Sequence, residues 1–97
     1  MKTLDEIIRV IRSNQSELLS RYKARVVGVF GSYVRGEQRA DSDLDLVAVF
    51  DPTASLFDLG GAQVMLSELL GTKVDLIPRE DVRPELKEII ESETVAV

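Results

Sequence analysis

Hydrophobic residues recur along this chain at two spacings, one typical of amphipathic helices and one typical of strands. Helical spacing begins after the capping-box sequence Thr3-Leu4-Asp5-Glu6 and predicts a first helix over roughly 4–21. A second helix is predicted between a serine cap at Ser55 and a terminating glycine at Gly71. A last helix is predicted over about 84–91, with a proline in its first turn. Four leucines of the second helix are expected to face inward, namely Leu56, Leu59, Leu66 and Leu70.

Two adjacent glycines interrupt the apolar pattern of the second helix. A glycine inside a helix costs roughly 1 kcal/mol relative to alanine. Gly60-Gly61 therefore indicates either a close backbone approach at this point or a helix that starts later, and the sequence leaves both open.

Three short apolar runs predict the strands of a small sheet. They cover 26–30, 44–50 and 73–77, and the third ends at Pro78. Only about a dozen residues separate the first two runs, too few for a parallel crossover with a helix, so we expect these strands to be antiparallel. A whole helix lies between the second and third runs, which predicts a right-handed crossover and a parallel pair. The pattern therefore predicts an α/β (α+β) fold with a small mixed sheet flanked by helices.

Composition excludes several kinds of chemistry. The chain of 97 residues predicts a single small domain over 1–97, without room for a second lobe that would hold an acceptor. Its 12 Lys and Arg against 17 Asp and Glu give a net charge of −5, which argues against direct nucleic-acid binding. The absence of Cys and His excludes disulfides, thiolate catalysis and a histidine base. Without a long apolar run or a signal-peptide pattern, we expect a cytoplasmic protein that does not enter a membrane.

The candidate chemistry lies around the ends of the predicted strands. Gly31-Ser32 ends the first strand, where glycine would let a phosphate approach the backbone and Ser32 would cap the short helix that follows. Asp43 and Asp45 lie two residues apart at the start of the second strand, so their side chains project from one face. The predicted topology brings Asp75, near the start of the third strand, to the same edge of the sheet. Magnesium prefers oxygen ligands, and we therefore expect two Mg²⁺ ions and a nucleoside triphosphate at this edge.

Each of these residues also has an ordinary structural interpretation. The Gly31-Ser32 turn could be a plain strand-to-helix turn, and Asp75 could be a charge that protects an edge strand from pairing. Arg35 could bind the nucleotide through a bidentate contact, or it could pair with Glu37, Asp41 or an acid of the site. Two like charges on one strand face repel each other unless a cation lies between them, which favours the metal interpretation for the paired aspartates.

The order and spacing of these motifs resemble the minimal nucleotidyltransferase (MNT) domains of the DNA polymerase beta superfamily. The matching segments are Gly31-Ser32-x-x-Arg35-Gly36, Asp41-Ser42-Asp43-Leu44-Asp45-Leu46 and Lys73-Val74-Asp75-Leu76. The resemblance spans nearly the whole chain and implies the polymerase-beta-type nucleotidyltransferase fold. It also implies that Gly31 and Ser32 bind the triphosphate of ATP, that Asp43 and Asp45 hold two Mg²⁺ ions, and that Asp75 completes a competent catalytic site.

The same resemblance implies a protein partner. Prokaryotic MNT proteins of this length are typically encoded beside a helical HEPN ribonuclease toxin and transfer AMP from ATP onto a tyrosine of that toxin, as its antitoxin. Two alternatives remain open, a non-catalytic antitoxin that neutralises its partner by occlusion and nucleotidyl transfer to a small molecule or an RNA. The sequence does not reveal the nucleobase preference, the oligomeric state, the number of AMP groups transferred, or whether Val95-Ala96-Val97 forms a short edge strand or a docking tail.

Overall fold

The helices and strands of the protein follow the predicted order. The computed structural model describes residues 2–39 and 41–97, apart from the side chains of residues 86 and 89. The elements in chain order are α1 (Leu4–Tyr22), β1 (Ala24–Phe30), α2 (Ser32–Arg35), β2 (Leu44–Phe50), α3 (Leu56–Leu70), β3 (Val74–Pro78), a 3₁₀ turn (Arg79–Asp81), α4 (Pro84–Glu93) and β4 (Val95–Ala96). The predicted helices and strands are confirmed, and their ends shift by at most two residues.

The four strands form one mixed sheet in the order β3-β2-β1-β4. β1 and β2 are antiparallel and β2 and β3 are parallel, as the lengths of their connections predict. β4 pairs antiparallel with β1, so the edge-strand alternative for the segment around Val95 is confirmed. The topology places the end of β1 and the starts of β2 and β3 at the same end of the sheet, where the strands begin or finish; this is the edge that carries the candidate residues.

Two helices and one face of the sheet enclose the main core. α1 and α3 pack against each other, α1 also packs on β1, and α3 also packs on β3. Along β2, the side chains of Leu44, Leu46 and Ala48 are fully buried in this core. Because successive side chains of a strand point to opposite faces, Asp45 and Val47 project to the other face of the sheet. The alternation therefore directs Asp45 away from the main core.

The structure corrects one expectation about α3 and resolves another. Leu56 does not face inward, since it is 84% exposed at the first helical position, whereas the buried residues of α3 begin at Ala62. α3 starts at this residue, so Gly60-Gly61 does not delay the helix. A Cβ on Gly61 would overlap the ring of Tyr22 in α1, which confirms a close approach there. A Cβ on Gly60 would meet nothing within 4 Å.

The length and polarity of the helices also bear on membrane insertion. Each helix in the described part of the chain is too short or too polar to span a bilayer.

Candidate active site

The turn after β1 holds a glycine in a conformation that other residues adopt only with strain. Gly31 has φ 82° and ψ −152°, a backbone region essentially confined to glycine. A Cβ on Gly31 would overlap Oδ2 of Asp45 and would lie 3.2 Å from Cγ of that residue. The Asp45 carboxylate therefore lies directly against the backbone of the turn.

The expectation that Ser32 caps the short helix α2 is wrong. Gly31 occupies the cap position, and Ser32 is the first helical residue. A residue inside the helix cannot serve as its N-cap, because capping requires the non-helical backbone of the preceding residue. Among residues 2–39 and 41–97, no hydrogen bond uses the Ser32 hydroxyl. Its hydroxyl is therefore available to a ligand at the turn.

The strand register brings Asp45 and Asp75 side by side. Asp45 lies opposite Phe30 in the antiparallel pair of β1 and β2, and opposite Asp75 in the parallel pair of β2 and β3. Residues paired in this way on neighbouring strands present their side chains on the same face of the sheet. Asp43 lies two residues before Asp45 and just ahead of β2, so the alternation places it toward this face as well.

The Asp45 carboxylate is influenced by the charges of the other two aspartates. The pKa of Asp45 is raised above its ordinary value, first by partial burial, then by the negative charge of Asp75 and then by that of Asp43. The positive charge of Arg35 opposes this shift. Lys73 approaches the cluster from the exposed side, with Nζ 3.8 Å from Oδ2 of Asp43. The cluster therefore carries repulsion that a bound cation would relieve.

The donor set suits magnesium in its chemistry, although the side chains are not gathered around a single point. Asp43, Asp45 and Asp75 offer only carboxylate oxygens, the ligands that Mg²⁺ prefers. In the described ranges, however, no group of three acidic side chains is arranged closely enough to hold a metal ion. Cation binding by all three would therefore require their side chains to rotate toward one another. Their assignment as metal ligands stays a prediction.

Arg35 is held by two glutamates beside the turn. Its guanidinium donates to Glu37 at 3.3 Å and to Glu93, at the end of α4, at 3.2 Å. These contacts raise the pKa of Arg35, with the hydrogen bond to Glu37 as the main cause. The predicted alternative of pairing with Glu37 is confirmed, but the contact with Glu93 was not foreseen. The two residues of this pair lie 58 positions apart, and β4 brings them together by pairing with β1.

Gln38, in the loop between α2 and β2, is another residue that sequence reasoning does not single out. Oε1 of Gln38 is buried, and it lacks a hydrogen-bond partner within the described chain. A buried acceptor without a donor is costly, which makes it suited to receive a hydrogen bond from a ligand. A glutamine in a loop carries no sequence signal for such a role.

An open groove lies on the same face of the sheet as the carboxylates. Its volume is about 330 Å³, and apolar side chains including Val27, Val47 and Ile90 line it. Val47 lies two residues beyond Asp45 on β2 and points to the same side. A substrate bound at the carboxylates would therefore have an apolar surface beside it.

The fold and this acidic edge can now be compared with known proteins. Residues 8–97 match the family model of the nucleotidyltransferase domain. The chain belongs to this family. It is therefore a nucleotidyltransferase, and the family assignment made from the sequence motifs is confirmed.

Individual relatives agree with this assignment. The protein adenylyltransferase MntA of Thermococcus cleftensis is 37% identical over 97 residues, which cover 100% of this chain and 98% of that protein. A solved structure described provisionally as a minimal nucleotidyltransferase is 37% identical, with a TM-score of 0.78 over 95% of this chain and 94% of the other. A toxin–antitoxin crystal structure with AMP-PNP has a TM-score of 0.68 at 23% identity, over 95% of this chain and 69% of the other, and it shows a shared fold. The predicted fold class is thus confirmed.

Proposed function

We propose that this chain is a magnesium-dependent protein adenylyltransferase that transfers AMP from ATP to a tyrosine hydroxyl of a partner HEPN toxin and acts as the antitoxin. The proposal depends most on one observation, the position of Asp45 between the Gly31 turn and Asp75. The name of the Thermococcus relative supports protein adenylylation, and the resemblance to MNT domains supports the toxin partner.

In this proposal the turn binds the triphosphate of ATP. Glycine at position 31 exposes the backbone, and the unused hydroxyl of Ser32 can donate a hydrogen bond to a phosphate oxygen. Arg35 is close enough to influence Asp45, so its guanidinium can also contact a phosphate after it leaves Glu93. The triphosphate would then extend across the edge of the sheet, with its α-phosphorus beside the carboxylates.

Asp43, Asp45 and Asp75 would hold the Mg²⁺ ions of the reaction. When bound, these ions would neutralise charge on the attacking and leaving oxygens of the phosphoryl group. Asp45 is partly buried and lies between the turn and Asp75, which suits a residue that aligns the α-phosphate. Asp75 lies on the edge strand β3 and is exposed, so an acceptor hydroxyl can reach it from solvent.

The proposed reaction exchanges one bond for another. The tyrosine oxygen of the acceptor forms a bond to the α-phosphorus, and the bond from that phosphorus to the β-phosphate oxygen breaks. Pyrophosphate leaves along the turn, and the carboxylate of Asp75 accepts the hydroxyl proton as a general base. The acceptor gains AMP as a phosphodiester, and the apolar groove beside Val47 offers a surface for the residues that flank its tyrosine.

The test uses ATP labelled at the α-phosphate together with magnesium and a HEPN protein as the partner, sought first in the reading frame adjacent to the gene of this chain. We expect label on the partner, located at tyrosine by mass spectrometry, and loss of the label with Asp45→Asn and with Asp75→Asn. Asp81→Asn, an exposed aspartate outside the site, serves as the matched control and should transfer normally. Label on RNA or on a small molecule but not on protein would contradict the proposed acceptor. Neutralisation of the toxin without transfer by the wild-type chain would favour occlusion.

A further inference from the structure

The strand that carries Asp75 has a neighbouring strand on one side only. β3 is the last strand of the sheet and pairs with β2 alone. In this parallel pair the N–H of Leu44 donates to the carbonyl of Lys73 at 2.9 Å. Because the backbone groups of successive residues point to opposite sides of a strand, the N–H of Asp75 points toward β2. The N–H groups of Val74 and Leu76 point away from β2, to what is here called the outer side of β3.

Two side chains of α3 accept hydrogen bonds on this outer side. Oε1 of Gln63 accepts from the N–H of Leu76 at 3.1 Å, and Oγ of Ser67 accepts from the N–H of Val74 at 3.1 Å. Both hydrogen bonds are partly buried. Gln63 and Ser67 lie one turn apart and therefore on the same side of the helix. The backbone before and after Asp75 is thus tied to α3, while Asp75 itself is tied to β2.

These bonds bear on the alternative that the charge of Asp75 protects an edge strand. Free N–H groups on such a strand can pair with a strand of another molecule. Gln63 and Ser67 occupy two of the outward positions, and the next one is Pro78, which has no N–H. Within Val74–Pro78, every outward N–H is therefore either bonded or absent. Protection does not require the charge of Asp75, whose side chain lies beside Asp45 on the face away from α3.

The turn between α3 and β3 gives Ser67 a second hold on the strand. The carbonyl oxygen of Ser67 accepts from the N–H of Gly71, which ends α3, at 2.9 Å. Its hydroxyl accepts from Val74, the first residue of β3. Ser67 therefore bonds both ends of this turn, and the start of β3 follows the position of the helix.

We propose that Gln63 and Ser67 are positioning residues for Asp75. They act through the backbone of β3, which they hold on the side where a further strand would otherwise be needed. The inference rests on the proposed function, in which Asp75 helps to hold the metal ions and accepts the proton of the acceptor hydroxyl. An error of about 1 Å in the placement of a reacting group can slow a reaction about 100-fold. The rate of transfer should therefore depend on these two hydrogen bonds.

Variants of Gln63 test this role. Gln63→Met removes the amide oxygen but keeps the length of the side chain and its helix propensity. We expect kcat for transfer to fall about 10–100-fold, while the KM for ATP changes less than about threefold because the Gly31 turn is untouched. Gln63→Glu keeps an oxygen that can accept from Leu76 and should restore the rate. Glu68→Met is the matched control, since Glu68 is an exposed residue of the same helix, and it should transfer normally.

Amide hydrogen exchange, followed by NMR without nucleotide or partner, measures the strand independently of the reaction. The N–H of Leu76 should lose protection in Gln63→Met and regain it in Gln63→Glu. Ser67→Ala should have the same effect on the N–H of Val74, and Ser67→Thr should restore protection there. Circular dichroism establishes a temperature at which every variant is folded, and all rates are measured at that temperature.

The outcomes separate the positioning role from the proposed function. A wild type that transfers no label to a partner overturns the proposed function and, with it, the role of Asp75. Transfer that is lost in Asp75→Asn but normal in Gln63→Met, although Leu76 has lost protection, overturns the positioning role alone. Normal protection of Leu76 in Gln63→Met, or a rate that Gln63→Glu does not restore, also overturns it.

Discussion

The replacement Gly31→Ala tests the contact between the turn and the Asp45 carboxylate. The added methyl group has two separate effects. It forces a residue with a Cβ into φ 82° and ψ −152°, and it overlaps Oδ2 of Asp45. Relief of the overlap requires Asp45 to move, which separates its carboxylate from the turn that is proposed to hold the triphosphate.

The size of each effect follows from the local geometry. Strain of this kind in the backbone costs about 1–3 kcal/mol. In a domain of this size, a loss of 1 kcal/mol lowers the melting temperature by about 4–8 °C, so the variant should melt about 5–20 °C below the wild type. A carboxylate misplaced by about 1 Å can slow a reaction about 100-fold. The effect on transfer should therefore exceed anything that stability alone explains.

The control is Gly71→Ala at the end of α3. Gly71 also has a positive φ, 66°, but a Cβ there would meet nothing within 4 Å. Its cost should be about 1–2 kcal/mol in stability, with normal transfer at a temperature where the protein is folded. Circular dichroism gives both melting temperatures, and label transfer from ATP to the partner gives both rates. If Gly31→Ala melts and transfers like the wild type, the turn does not position the carboxylate.

Three further predictions concern stability and nucleotide binding. The pKa of Asp45 is raised in the folded state, so the stability of the metal-free protein falls as pH rises from the ordinary value of 3.8 through the folded-state pKa. Asp45→Asn should therefore raise the melting temperature at neutral pH by about 1–8 °C while it abolishes transfer. A lower melting temperature would contradict this. In chemical denaturation, Gly61→Ala should lower the free energy of unfolding by about 1–3 kcal/mol, because its methyl group overlaps the ring of Tyr22. Gly60→Ala should raise the free energy of unfolding by roughly 1 kcal/mol. Equal effects of the two variants would refute the close approach of Tyr22 to Gly61. Glu93→Gln should change stability by less than about 1 kcal/mol but lower the KM for ATP several-fold, because only Glu37 would then hold Arg35 away from a phosphate, and an unchanged KM would argue against a role for that arginine.

The arrangement of the acidic residues could be predicted because it follows from short-range rules. Strand alternation places Asp43 and Asp45 on one face, and the lengths of two connections determine the directions of three strands. Those directions alone bring Asp75 to the same edge of the sheet. The capping boxes that begin α1 and α3 are likewise local features, visible as a hydroxyl residue followed three positions later by an acid.

Features that depend on distant parts of the chain could not be predicted. The contact of Arg35 with Glu93 exists only because β4 returns along β1, and nothing local to either residue indicates it. The exposure of Leu56 depends on where α3 meets the sheet, since the apolar pattern of that helix does not distinguish its two sides. The sequence predicts Ser32 as the cap of α2, but Gly31, with its unusual backbone conformation, occupies that position instead.

Calorimetric titration of the purified chain with AMP-PNP, with and without magnesium, tests the central claim most directly. We expect the wild type to bind the nucleotide only when magnesium is present, and we expect the double variant Asp45→Asn/Asp75→Asn to lose this binding while it stays folded. Binding of equal strength without magnesium, or binding that survives in the double variant, would contradict a metal-dependent nucleotide site at this edge of the sheet.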